Sequence, residues 1–142
     1  MAYCTHADLL KRMSEADLIE LTDDAGAGVL DSDAEARAIA DADGEIDGYC
    51  GSRYTVPFSP VPGMIRKLSV DIAIYNLYGL RPLLKLPEEI TARYDNAVRF
   101  LKDVAKGLVK LGADAPTPVN PENTVSIAGN SRIFTRDKMQ GF

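Results

Sequence analysis

The chain has 142 residues, 46% of them hydrophobic, with a formal net charge of -5 and a pI near 4.8. That is enough for one domain with a core of its own, and the acidic balance disfavours a general nucleic-acid binder, whose phosphate contacts need clustered Lys and Arg. No apolar run approaches the roughly 20 residues of a membrane span, so a folded, soluble protein is expected.

The opening "MAYCTHADLLKRM" has polar and charged residues where a signal peptide needs an apolar stretch, so export is not expected. Cys4 and Cys50 stand far apart without a metal-ligand pattern and are expected as ordinary thiols in a reducing compartment. Two short helices come first. Thr5 with Asp8, and Ser14 with Asp17, each place a capping hydroxyl three residues before a carboxylate.

Residues 22 to 33, "TDDAGAGVLDSD", partly match a calcium loop. With Asp23 at position 1, Gly28 falls at position 6 and Asp31 at position 9, but positions 3, 5 and 12 are Ala25, Ala27 and Ala34. Asp23 and Asp31 are therefore weak metal candidates. The simpler reading is a Gly-rich turn in which Asp31 or Ser32 caps the next helix, and no metal or other cofactor is expected.

The next helix spans 32 to 54, with Ala36, Ile39, Ile46 and Cys50 in its buried stripe and Asp41, Glu45 and Asp47 turned away. Asp43 falls inside the stripe, facing a cation or sitting at its wet edge. Three prolines make 55 to 63, "TVPFSPVPG", a fixed extended connector. Residues 64 to 80 then read as a helix apolar almost all round, with Met64, Ile65, Leu68, Ile72 and Tyr75 on one side. Asp71 interrupts it. A buried carboxylate needs a partner, and Arg53 or Arg66 is the candidate for a structural ion pair.

Pro87 begins a last helix with Glu88 and Glu89 in its first turn and Lys102 and Lys106 near its end, matching the helix dipole. Ile90, Tyr94, Ala97, Val98, Leu101 and Val104 form its buried face, and Gly107 or Gly112 ends it. The composition then changes. Residues 113 to 142 read as a Pro-rich linker followed by a partly basic extended arm, so the chain divides into a helical domain (1-112) and a linker with C-terminal arm (113-142). The alternative for the arm is a tail without structure. The expected fold class is mainly α: a small helical bundle of about four to five helices carrying an extended C-terminal arm.

Catalytic patterns are missing: no GxSxG, HExxH, Walker A or GxGxxG occurs, and His6 is the one histidine. An enzyme is not expected. The blocks "YCTHADLLKR", "ELTDDAGAGVLD", "AIADADGEIDGYCGSRYTVPFSPVP", "LSVDIAIYNLYGLR", "RYDNAVRFLKDVAKGLVKLG" and "SRIFTRDKMQGF", in this order and spacing, resemble the Mu-like phage family of head completion, or head-to-tail connector (adaptor), proteins.

The resemblance implies a virion neck subunit that joins a dodecameric homo-oligomeric ring beneath the portal protein, completes the filled head and presents a surface to the next neck or tail protein. DNA would pass through its lumen without specific binding, and no membrane is involved. Within that picture Arg132, Phe134, Arg136 and Phe142 are the expected subunit-interface residues, the arginines facing acidic residues 32 to 54 of the adjacent copy. Two alternatives stay open: a calcium-responsive binding module, and a stopper or tail-terminator neck subunit.

Overall fold

The computed structural model describes residues 1–112. Five helices follow in order: α1 (His6–Leu10), α2 (Glu15–Thr22), α3 (Ser32–Cys50), α4 (Gly63–Gly79) and α5 (Glu88–Lys106), with no strand among the described residues. The expected mainly helical bundle is what forms. The interface and arm expectations at Arg132, Phe134, Arg136 and Phe142 lie outside the described residues.

The short first helices are fixed by their caps. The Thr5 amide donates to the Asp8 carboxylate at 3.1 Å, while Ser14 Oγ accepts from the Asp17 amide at 3.2 Å. Each cap satisfies backbone groups that two turns of helix leave without partners. Leu9, Leu18 and Leu21 then point inward and lay α1 and α2 over the main bundle.

α4 is the central helix, packed against α3 most extensively and then against α5, which also touches α3. Its nearly continuous apolar sequence has this cause: Ile65, Ile72, Ala73 and Leu77 have no exposed surface at all. Helices covered on several sides need no polar face. α5, by contrast, buries only the stripe of Ala97, Leu101 and Val104. Pro87 precedes its first turn, and Gly107 at φ +77° ends it in the left-handed conformation glycine adopts without cost.

Three expected details are corrected. α3 stops at Cys50, after which Arg53 and Tyr54 donate their amides to the Cys50 carbonyl in a tightened last turn. Its buried alanines are Ala34, Ala38 and Ala42, and Ala36 is exposed. Met64, in the first turn of α4, is also exposed.

The connector between α3 and α4 is not merely a spacer. Its Phe58 enters the core, with ring centroids 5.8 Å from both Tyr3 and Tyr54 in tilted arrangements. Such aromatic pairs add to the area they bury. They attach the N-terminal segment and the proline-rich turn to one another.

Candidate functional site

Tyr3 organises the polar interior. Its hydroxyl donates to Asp47 and accepts from the Phe58 amide at 3.0 Å, while its own amide donates to Asp43 Oδ2 at 3.0 Å. Ser69 Oγ on α4 donates to the other Asp43 oxygen at 2.9 Å. Asp43 is half-buried at the edge of the stripe and meets no cation; an amide and a hydroxyl satisfy it. Burial pushes its carboxyl above the ordinary range and pushes the Tyr3 hydroxyl up likewise. Glu45 and Asp47, expected to face away, are used instead: Glu45 accepts from Tyr94 at 3.1 Å, and Tyr94 stacks on Tyr75 with centroids 4.0 Å apart.

This cluster is a structural clasp. Burial raises the Cys4 and Cys50 thiols to about 11, leaving them protonated and unreactive near neutrality. His6 sets Nδ1 3.0 Å from Oε2 of Glu35, a carboxylate buried in the first turn of α3. Nothing in the sequence signalled that pair, whose members stand 29 positions apart.

The acidic loop is a turn. Asp23 accepts from the amides of Ala27 at 3.0 Å and Gly28 at 2.6 Å, and these hydrogen bonds hold its carboxyl below the ordinary range. Asp31 caps α3, accepting from the Asp33 and Ala34 amides at 3.0 and 3.1 Å. Thr22 Oγ1 closes the base by accepting the Asp31 amide at 3.3 Å. Both candidate ligands are turned toward backbone N–H groups. Among the described residues no three His, Cys, Asp or Glu side chains are grouped to hold a metal ion.

The expected Asp71–Arg53 pair is replaced by two separate arrangements. Arg53 reaches the end of α5, donating from Nε to the Ala105 carbonyl at 2.9 Å and from Nη2 to the Lys106 carbonyl at 3.1 Å. Its place in the turn after α3 aims it at those unpaired carbonyls. Asp71 meets only Lys67 Nζ, one helical turn earlier, at 4.0 Å from Oδ2, and its Oδ1 is buried without a hydrogen-bond partner.

Asp71 lies at the base of a trench between α4 and α5. One end, a cleft of about 220 Å³, is lined by Arg12, Met13, Ile74, Tyr78 and Ile90 among others, and the other, about 250 Å³, by Met64, Lys67 and Phe100. Asp71 and Arg93 border both ends.

Beyond the trench, the α4–α5 connection forms an apolar knuckle. Leu83 is 99% exposed, with Leu80 and Leu84 partly exposed beside it. Arg81 fastens the knuckle to the acidic loop through Asp24 at 2.9 Å. Leu80, Leu83 and Leu84 together leave an apolar surface open at this turn. No helix of the described residues is long and apolar enough to cross a membrane.

The family described as bacteriophage Mu, Gp36 matches residues 3–128. Gene product J of Escherichia phage Mu is 33% identical over 145 aligned positions, covering 100% of this chain and 99% of that protein. The Mu-like prophage FluMu protein gp36 of Haemophilus influenzae is 29% identical over 141, covering 99% and 97%.

Proposed function

The chain belongs to the bacteriophage Mu Gp36 family, and from that premise we propose that it is a structural protein of the virion neck: a head-to-tail connector without enzymatic activity. Copies assemble as a ring beneath the portal protein, extend the DNA channel, complete the head and offer a surface to the next neck or tail component. Arg132, Phe134, Arg136 and Phe142 take part in that association. The ring requires a heterologous contact that closes on itself.

The observation that carries this reading is the Leu83 knuckle, an apolar protrusion braced by an ion pair at one end of the α4–α5 pair. The test begins with DNA-filled particles purified on a density gradient, in which mass spectrometry measures this chain against the portal protein. A fixed ratio is expected, and Leu83→Asp lowers it while the free protein's stability stays within about 0.5 kcal/mol, as for surface substitutions generally. Absence of the chain from intact particles would end the connector reading.

A further inference from the structure

Asp71 carries an unmet demand. It is 5% exposed, its Oδ1 has no partner, and its one nearby cation, Lys67, is half exposed and at the limit of ion-pair distance. A buried carboxylate without a partner is strongly unfavourable, whereas a donor reaching it completes the pair. The two intrachain arginines that border the trench do not supply one: Arg93 pairs with Glu89, and Arg12 makes no contact with Asp71. The missing donor has a defined shape. It must be long enough to reach the base between α4 and α5, cationic at its tip, and accompanied by apolar groups that suit Met13, Ile74, Ile90 and Phe100.

We propose that this trench is the receptor for the chain's own segment 132–136, Arg-Ile-Phe-Thr-Arg, with an arginine guanidinium at the Asp71 carboxylate and Phe134 among the apolar lining residues. The walls mix Arg12, Lys67 and Arg93 with Met13, Ile74, Ile90 and Phe100, and Asp71 is the carboxylate left short of a donor there; the alternation of arginine with Ile133 and Phe134 offers a guanidinium for that carboxylate and apolar groups for the rest. Reach is sufficient. From Gly112 to Arg132 an extended chain covers roughly 60 Å, well over the roughly 25 Å length of α4.

The acidic face of α3 is the weaker receptor. Its Asp33 and Asp41 are exposed, where an ion pair contributes little. The proposal rests on the reading of the C-terminal segment as an association element and supplies its address, in the same copy or in a neighbouring one.

The test places the photo-cross-linker p-benzoylphenylalanine at position 134 of the full-length chain. Cross-linked peptides are mapped in the purified protein and in phage particles, with isotope-mixed preparations separating contacts within a copy from contacts between copies. Attachment to residues 64–78 or 89–100 is expected in at least one preparation, and either kind of contact supports the proposal.

Asp71→Asn, which keeps the size of the side chain, should lower that cross-link yield by about thirtyfold or more, the scale of losing one partner of a buried charge pair. Paired Arg132→Gln and Arg136→Gln substitutions should do the same without altering the helical body. Attachment confined to α3, no attachment in either preparation, or a yield indifferent to both the Asp71 and the arginine changes overturns the assignment. The chain's absence from particles would defeat the neck reading alone, since the purified protein still reports on the trench.

Discussion

The clamp between Arg53 and the end of α5 makes a quantitative prediction. Arg53 donates to the Ala105 and Lys106 carbonyls, and its guanidinium lies where a side chain on Gly107 would have to go: a Cβ there would stand 2.6 Å from Nη1 and 2.7 Å from Nη2. Arg53→Ala removes two charge-assisted hydrogen bonds from an exposed site, so the loss is about 1 kcal/mol, below the buried value. Gly107→Ala costs about 1–2 kcal/mol for the left-handed backbone and, by evicting the guanidinium, about 1 kcal/mol more.

In an Arg53→Ala background only the backbone cost remains. The double mutant should thus be about 1 kcal/mol more stable than the sum of the single changes predicts. Urea unfolding at constant m-value measures all four proteins, and the coupling corresponds to roughly 3–5 °C in Tm for a chain of this size. Strict additivity would refute the clamp. Coupling of Arg53→Ala to Asp71→Asn instead would restore the ion pair expected from the sequence.

Other outcomes follow from the same contacts. His6→Ala leaves buried Glu35 without its partner and should cost about 1 kcal/mol, since water can enter beside the partly exposed ring. Asp31→Ala removes the α3 cap at a cost of about 1 kcal/mol, and a chelator should leave the Tm of the unaltered protein unchanged, because both candidate ligands serve the backbone. The thiols of Cys4 and Cys50 are raised to about 11 in the fold, so the folded chain holds their protons more tightly than the unfolded one. Their contribution is complete below the unfolded thiol pKa of roughly 8.5 and is lost as pH rises through about 11, up to about 2–3 kcal/mol each. Urea midpoints measured from pH 7.5 to 11 should therefore fall less steeply in Cys50→Ala; equal slopes would contradict the burial argument.

Local chemistry was readable and long-range partnership was not. Thr5 with Asp8, Ser14 with Asp17, Pro87 and Gly107 each act on backbone within a turn or so, and the helices they bound are present. The face of α3 was harder, because Ala34, Ala36, Ala38, Ala40 and Ala42 recur at every second position. That alternation offers little contrast for a period of 3.6, and Ala36 was assigned to the wrong side. Tyr3 had no signal of its own: its partners Asp43, Asp47 and Phe58 are brought together only when α3, the connector and the N-terminal segment meet. The same holds for Arg53, whose reach to α5 depends on where the chain turns after Cys50. A residue's charge announces that it needs a partner, and the tertiary path chooses which.

The groups left unmatched are gathered on one side of the body. Asp71, Ile74 and Tyr78 share a stripe of α4 at helical spacing. In the turn just beyond it stands Arg81, whose Nε and Nη2 are also buried without acceptors, and then comes exposed Leu83. Elsewhere the interior carboxylates are matched, Asp43 by two donors and Glu35 by His6. An isolated fold gains nothing from keeping an unpaired carboxylate, an incompletely paired guanidinium and a bare leucine along one edge, since each is unfavourable alone. Segment 132–136 in the trench would relieve the first, and a surface that offers an acceptor and an apolar recess would relieve the other two. Docking in the trench would be selective as well, because a segment lacking the cation would leave Asp71 more deeply buried and still unpaired.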